Sequence, residues 1–175
     1  MVSLSYVIIK RSKRRLLKIM TDIGIDEKQS AQVVKILSRV LADEYVLYTK
    51  TRGYHWNVTG MQFNDLHKFF EAQYTALEGI VDDVAERART IGGHALGSLQ
   101  EMLDHKTLEE DTTKGTDAQH MVRSLLHDHE SIIKKLRKDL KACDEKYNDM
   151  GTSDYLTGLM ETHEKMAWML RAYLE

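Results

Sequence analysis

Proline is absent from all 175 residues of the chain. Because a proline ring removes a backbone donor and clashes inside a helix, its absence favours a chain that is helical nearly throughout. The single cysteine, Cys143, excludes an internal disulfide and is typical of a reducing compartment.

No run reaches the ~18–20 apolar residues of a membrane helix. The N-terminal basic residues follow an apolar run, whereas a secretory signal places them before it. We therefore expect a cytoplasmic protein with no membrane partner.

Apolar residues make up 42% of the chain and charged residues 30%, which is typical of a folded globular domain. The positive charge is concentrated at the N-terminus. Residues 1–19 hold six basic residues and no acidic one, which leaves 19 basic against 27 acidic residues, a formal charge of −8, in residues 20–175. An acidic body repels nucleic acid, whereas a basic tail attracts it by releasing counterions. The candidate DNA-binding residues are Lys10, Arg11, Lys13, Arg14, Arg15 and Lys18.

Two other interpretations of residues 1–19 stay open. The segment is either a disordered extension, or it is translated from an upstream start codon, with Met20 the natural start. The predicted organisation is thus a basic extension over residues 1–19 and one folded domain over residues 20–175. DNA binding, and nucleoid association with it, depends on the extension.

Apolar residues recur at steps of three and four, which predicts four long amphipathic helices at about residues 26–56, 64–91, 117–146 and 153–175. Asn64 or Asp65 is the expected N-cap of the second helix, and Gly151 is expected in the last turn. A short helix is expected in the long connection over residues 92–116. Four helices with one long middle crossover predict an all-α, ferritin-like four-helix bundle. A cytokine-like bundle would need two long crossovers.

The second helix carries two pairs of candidate metal ligands. His67 and Glu71 are four residues apart and share a face, and Asp82 and Glu86 form a second such pair on nearly the same side. The two pairs are fifteen residues apart, roughly 22 Å at a rise of about 1.5 Å per residue. One metal ion therefore cannot reach both pairs in one chain.

Two copies of the chain can bring these pairs together. If the second helix packs antiparallel to its copy across a two-fold axis, His67 and Glu71 of one chain meet Asp82 and Glu86 of the other, which gives two identical sites. Nitrogen and carboxylate ligands without thiolates favour iron or zinc. The ordinary explanation of such acid pairs is a solvated helix face.

The segment YHWNVTGMQFNDLHKFFEAQYTALEGIVDDVAERARTIGG, residues 54–93, closely resembles the Dps family of mini-ferritins. The resemblance extends from about residue 23 to residue 175 and includes GGHALG after the second helix and AWML in the last one. Its specific motifs are HWN, a histidine twelve residues later, and D-x-x-x-E. Matched by position, the resemblance assigns iron ligands to His55, His67, Glu71, Asp82 and Glu86. The family often has aspartate where Glu71 stands.

The resemblance also implies an activity and an assembly. The expected protein is a ferroxidase that oxidises Fe(II), preferentially with hydrogen peroxide, and stores the ferric product as a mineral. The expected assembly is a hollow homododecamer with iron sites at its two-fold interfaces. Paired irons pass two electrons to peroxide together, which avoids releasing hydroxyl radical. Removing iron and peroxide would protect DNA from oxidative damage.

Other residues carry secondary expectations. Trp56, beside His55, either fills the core or donates an electron that quenches stray oxidising equivalents. Asp149 and Asp154 are the favoured candidates for an iron-entry pore, the alternative being plain turn acids. Adjacent helical residues point apart, so one ion cannot bind the whole cluster His127-Asp128-His129-Glu130, and its histidines are expected at the surface. No ligand set is expected for His94, His105, His120 or His163.

Two alternative functions remain to be weighed. A nucleoid-compacting protein with a vestigial metal site is disfavoured by the acidic body and by the intact ligand set. A full-size ferritin or bacterioferritin uses E-x-x-H on two helices. None of the eight histidines has glutamate three residues before it, which excludes that pattern.

Overall fold

The computed structural model describes residues 21–115 and 117–175. Within this part of the chain there are five α-helices: α1 (Glu27–Asn57), α2 (Phe63–Thr90), α3 (Leu99–His105), α4 (Ala118–Glu145) and α5 (Met150–Ala172). The prediction of four long helices with a short one in the middle crossover is confirmed. The predicted basic tail, residues 1–19, lies outside the described residues.

The helices α1, α3 and α4 each begin at a residue whose side chain satisfies free backbone donors, as does α5, described below. The Asp26 carboxylate accepts hydrogen bonds from the first turn of α1, and Asp117 accepts one from the first turn of α4. Ser98 and Glu101 form a reciprocal capping box at the start of α3. Each of these side chains supplies an acceptor to backbone N–H groups that have no partner within the helix, so the local sequence defines these boundaries.

The start of α2 differs from the prediction. Gln62 is the N-cap and makes no capping hydrogen bond through its side chain, so the expected caps Asn64 and Asp65 are both wrong. Asp65 instead lies in the first turn of the helix. A carboxylate there interacts favourably with the positive end of the helix dipole.

The start of α5 also differs, because Gly151 lies inside the helix rather than in the turn. The chain reverses at Asn148, which has φ 52°. Asp149 then caps the helix: its carboxylate accepts from the Thr152 N–H at 2.9 Å and from the Thr152 hydroxyl at 2.6 Å. This cap starts α5 at Met150, three residues earlier than expected.

The long helices form two hairpins, with α1 packed on α2 and α4 packed on α5. Their apolar stripes meet in one core that excludes water. Its largest fully buried side chains include Phe70, Leu37, Leu41, Leu47, Leu66, Leu77, Leu125, Leu136, Leu156 and Leu170. Burial of this apolar surface is the main stabilising contribution to the bundle.

The crossover between α2 and α4 is attached to α1 by a buried carboxylate. Asp43 accepts hydrogen bonds from the backbone N–H groups of Thr107, at 2.5 Å, and Leu108, at 2.9 Å. Lys135 on α4 lies 3.2 Å from the same carboxylate. These contacts fix the crossover to both hairpins. None of the described helices is both long and apolar enough to cross a membrane.

Candidate metal centre

Two histidines meet where α1 ends and α2 begins. His55 lies in the last turn of α1 and His67 in the second turn of α2, and the short connection through Gly60 folds one helix back on the other. Their imidazole rings are stacked, with 3.8 Å between centroids and 19° between planes. His55 is only 8% exposed. The tertiary structure therefore brings together the two histidines that the sequence separates by twelve residues.

Each of the two histidines is held by the backbone of the other. His55 Nδ1 lies 2.8 Å from the carbonyl oxygen of His67, and His67 Nδ1 lies 2.8 Å from the carbonyl oxygen of His55. A carbonyl oxygen only accepts, so each Nδ1 carries the proton and donates it. In a neutral imidazole this leaves the Nε2 lone pair free on both rings. In metal-binding histidines, the ring nitrogen that does not bind the metal usually donates its N–H to a carbonyl oxygen or a carboxylate.

The predicted carboxylates lie on the exposed face of α2. Glu71 is exposed one helical turn beyond His67, and Asp82 and Glu86 are exposed further along the same helix. Among the described residues of this single chain, no three His, Cys, Asp or Glu side chains converge as a metal site. One chain thus presents a histidine pair at one end of α2 and a carboxylate pair roughly 22 Å away, at about 1.5 Å per residue.

Aromatic and cationic side chains surround the histidine pair. Phe63 stacks on His67 at 5.1 Å, and Tyr74 lies edge-on to His55 at 5.2 Å. Trp56 is 66% exposed in the chain, so it does not fill the core, and Arg52 lies over its ring. Sequence reasoning missed Phe63, Tyr74 and Arg52. Phe63 and Tyr74 are four residues before and seven after His67, a helical spacing that could have revealed them.

The two pore candidates have different environments. Asp154 is exposed, and its role in an iron-entry path stays a prediction. Asp149 is 2% exposed, and besides capping α5 it lies 3.1 Å from the Arg87 guanidinium. Its carboxylate is therefore occupied within its own chain, an arrangement that accounts for this residue without a pore.

Within the cluster expected at the surface, His127 is exposed, but the expectation for His129 is wrong. His129 and His163 are both 0% exposed, so neither is a surface residue. Their Nδ1 atoms lie 2.8 Å apart, and His163 Nε2 lies 2.9 Å from Glu44 Oε1 on α1. Burial, together with the neighbouring His163, holds the pKa of His129 well below its usual value. These three buried side chains lie within the bundle and connect α1, α4 and α5.

Comparison with known proteins identifies the class of fold. The "Ferritin-like domain" family matches residues 34–175. The chain is 43% identical over 154 residues to a low temperature-induced protein of Nostoc sp. strain PCC 7120, covering 88% of this chain and 86% of that relative. It is 38% identical over 143 residues to DNA protection during starvation protein 2 of Bacillus anthracis, covering 82% of this chain and 97% of the relative. The protein therefore has an all-α, ferritin-like fold.

A solved structure agrees with this assignment. The Dps protein of Vibrio cholerae, described as a member of a broad superfamily of ferritin-like diiron-carboxylate proteins, superimposes with a TM-score of 0.84. The two proteins share 33% sequence identity, and the match covers 89% of this chain and 97% of the other. The chain belongs to the Dps family. The resemblance deduced from the HWN and D-x-x-x-E motifs is thereby confirmed.

Proposed function

We propose that this protein is a Dps-type mini-ferritin that oxidises Fe(II), preferentially with hydrogen peroxide, and stores the ferric product. The observation that carries the proposal is the stacked pair His55 and His67, whose protons are both committed to carbonyl oxygens. Two free Nε2 lone pairs, with the exposed Glu71 one helical turn beyond His67 and no thiolate among the candidate ligands, suit ferrous iron. Membership of a family whose members are named for DNA protection supports the wider role.

The complete site is proposed to form between two chains. His55, His67 and Glu71 of one chain would meet Asp82 and Glu86 of a second across a two-fold axis, giving two equivalent sites per pair. Support comes from the long separation along α2 and from the exposure of all three carboxylates. Twelve chains arranged as a hollow cage would then provide space for the mineral. DNA would be protected by removal of iron and peroxide, in the cytoplasm or at the nucleoid.

The residues divide the chemical work between them. The imidazoles bind Fe(II) through Nε2, while the carbonyl bonds keep both rings oriented before iron arrives. The carboxylates balance the positive charge that increases as Fe(II) becomes Fe(III). Phe63, stacked on His67, limits the access of water to one side of the pair. Trp56 is proposed to lie close enough to give up an electron to stray oxidising equivalents.

The main experiment is anaerobic loading with Fe(II), followed by a stoichiometric amount of hydrogen peroxide, with ferric absorbance and radical trapping as readouts. Wild type should oxidise the iron rapidly and release little trapped radical. The double variant His55→Ala/Asp82→Ala should oxidise it at the rate of iron in buffer. Equal rates in the variant and wild type would show that the site is assigned wrongly.

A mixing experiment tests whether two chains share each site. One variant lacks the histidines (His55→Ala/His67→Ala) and the other lacks the distant acids (Asp82→Ala/Glu86→Ala). Neither alone forms a complete site, but a two-fold pair of one of each has one intact site. Random assembly of co-expressed variants should restore about one quarter of the wild-type sites, because half the pairs are mixed and each has one working site. No recovery in assembled mixtures would contradict a shared site.

A further inference from the structure

The core of the bundle contains a row of ionisable side chains that the proposed iron chemistry does not use. Glu44 on α1, His163 on α5 and His129 on α4 are each 0% exposed. His163 Nε2 lies 2.9 Å from Glu44 Oε1, and His163 Nδ1 lies 2.8 Å from His129 Nδ1. His163 therefore contacts both other residues, one through each ring nitrogen.

The charge of this row depends on how many protons it holds. One carboxylate and two neutral imidazoles together carry one negative charge. An unbalanced charge buried away from water is strongly unfavourable. One added proton makes the row neutral, so the row needs either that proton or a neighbouring cation.

The basic side chains near this row are already paired. Where α1 meets α4, three of them each contact an acidic side chain, in the pairs Lys50–Asp128, Lys135–Asp43 and Arg39–Asp139. Lys135 and Arg39 also line a small cavity beside Glu44. On α5, burial, followed by the charges of Asp83 on α2 and of Glu44, raises the pKa of Tyr155, which keeps its phenol uncharged. Each ion pair is neutral as a unit, so none of these groups balances the Glu44 carboxylate.

His163 is the residue best placed to hold the added proton. An imidazole binds a proton about two pH units more tightly than a carboxylate in water. Both nitrogens of His163 face an acceptor, Glu44 Oε1 on one side and His129 Nδ1 on the other, so an imidazolium there donates both of its N–H groups. Burial and the neighbouring His163 hold the pKa of His129 well below its usual value, so the two histidines carry one positive charge and not two.

The far end of the row needs one more acceptor. When His163 donates to His129 Nδ1, the proton of the His129 ring lies on Nε2. His129 Nε2 has no partner among the described residues, and neither has the side-chain amide of Gln73 on α2, which is 4% exposed. The amide oxygen of Gln73 is the kind of acceptor that this N–H requires.

Gln73 and His129 lie at one level of the bundle. Their chain neighbours contact α1 two positions apart, in the pairs Tyr74–Tyr48 and Asp128–Lys50. Two positions correspond to about 3 Å along a helix. Both residues belong to the buried stripes of their helices, so their side chains enter the same layer of the core.

We propose that these four side chains, one from each long helix, form a proton-binding site in the bundle core, which holds one proton on His163 between Glu44 and His129. Gln73 is a positioning residue, because it orients the His129 ring with its bare Nδ1 towards His163. The site saturates at one proton, since a second would leave an N–H on both Nδ1 atoms, which face each other at 2.8 Å. The bound proton balances Glu44 and so stabilises the contact between α1 and α5.

The test is nitrogen-15 solid-state nuclear magnetic resonance of the full-length chain, purified without added metal and labelled at its histidine nitrogens. The spectrum is recorded at about pH 8.5, about two units above the pKa of an ordinary exposed histidine. A neutral imidazole gives one N–H and one bare-nitrogen resonance, whereas an imidazolium gives two N–H resonances. One of the eight histidines, and hence one eighth of the imidazole intensity, should be an imidazolium. One of its N–H groups should show coupling through a hydrogen bond to a nitrogen of a second histidine.

Glu44→Gln is the main variant, because it keeps the size of the side chain and an acceptor oxygen but removes the negative charge. It should lose the imidazolium signal at this pH. Glu161→Gln, on the exposed face of α5 two residues before His163, is the matched control and should retain the signal. Gln73→Leu should retain the imidazolium and move the N–H resonance of the second histidine.

The wild-type spectrum alone decides the question if Glu44→Gln does not fold. Neutral imidazoles only, or a Glu44→Gln protein that retains the imidazolium, would show that Glu44 does not hold a proton on His163. An infrared band of a protonated carboxyl group that disappears in Glu44→Gln would place the proton on Glu44 and would also contradict the inference. No iron enters these measurements, so their outcome is independent of the proposed function.

Discussion

His129 and His163 face each other in the middle of the bundle, with their Nδ1 atoms 2.8 Å apart and neither side chain exposed. Glu44 Oε1 lies 2.9 Å from the other ring nitrogen of His163. Within the described residues, Glu44 Oε2 and His129 Nε2 are buried without a hydrogen-bond partner. The core thus contains a short hydrogen-bonded chain that spans three helices, and its two ends are unsatisfied.

This buried hydrogen-bonded row of side chains makes the stability of the fold depend on pH. Burial holds the pKa of His129 below its unfolded value of 6.5, so the unfolded state binds a proton that the folded state does not. The resulting stability is fully present above pH 6.5 and is lost as the pH falls below it, by at most about 1.4 kcal/mol per pH unit for one proton. Denaturant unfolding measured at intervals of about one pH unit, from about pH 5 to about pH 8, should show this slope. His129→Gln removes the titrating group and should flatten it; an unchanged slope would assign the dependence elsewhere.

A buried ion pair between α1 and α4 predicts a large mutational effect. Lys50 Nζ lies 2.6 Å from Asp128 Oδ2, with side chains 7% and 6% exposed. Lys50→Met leaves the Asp128 carboxylate buried and uncompensated, which should lower the unfolding free energy by about 3–5 kcal/mol. The exposed pair Lys141 and Glu145 provides the control: Lys141→Met should change stability by less than about 1 kcal/mol. Similar losses in the two variants would mean that water reaches Asp128.

Gly93 is required by close packing at the end of α2. A Cβ added there would lie 2.4 Å from Val34 Cγ2 and 2.8 Å from the Ala88 carbonyl oxygen. Gly93→Ala should therefore destabilise the chain by about 1–3 kcal/mol in denaturant unfolding. Gly158, inside α5 with no described residue within 4 Å of an added Cβ, is the control, and Gly158→Ala should stabilise by about 0.5–1 kcal/mol. A neutral Gly93→Ala would show that Val34 and the backbone move aside.

The carbonyl bonds of the histidine pair can be separated from its metal-binding atoms. The asparagine amide in His55→Asn places an N–H near the Nδ1 position but has no atom at Nε2. This variant should keep the bond to the His67 carbonyl, and with it most of the stability, but should lose at least about tenfold in metal affinity. Cobalt(II) absorbance under anaerobic conditions measures the affinity, and His55→Ala should lose both properties. Undiminished cobalt binding by His55→Asn would exclude Nε2 of His55 as a ligand.

The charge distribution of the sequence predicts how DNA binding depends on the first nineteen residues. Residues 20–175 carry a formal charge of −8, so a chain that begins at Met20 should bind DNA weakly or not at all. If residues 1–19 are functional, the full chain should shift DNA in a gel at low salt and lose the shift at moderate salt. Equal binding with and without the segment would place the DNA contact on the folded domain.

Helical periodicity predicted the four long helices because it depends on neighbours within one turn. Boundaries were predicted where a local side chain satisfies the helix end, as at Asp26 and Asp117. The boundary at Asn64 or Asp65 was wrong because α2 begins without a side-chain cap. The predicted turn at Gly151 was wrong because Asp149 caps α5 earlier than expected.

The burial of His129 and His163 could have been predicted from the sequence, although the argument from ligand spacing missed it. Considering the cluster at 127–130 as one group suggested that its histidines lie at the surface. His129, however, follows Leu125 by four residues and precedes Ile132 by three, so it lies on the apolar stripe of α4. Its partner His163 occupies the corresponding stripe of α5. The periodicity indicates that both residues face inward, but their pairing depends on how the two helices dock.

The sequence by itself determined the helices and the family and named the candidate iron ligands, because these follow from local periodicity and from short motifs. Only the tertiary structure decided that His55 and His67 exchange Nδ1 hydrogen bonds with each other's carbonyl oxygens, because that geometry requires the fold of the connection between α1 and α2. It also decided which aromatic rings contact the pair. Contacts of this kind join residues on different helices, and their geometry is defined only once both helices have packed.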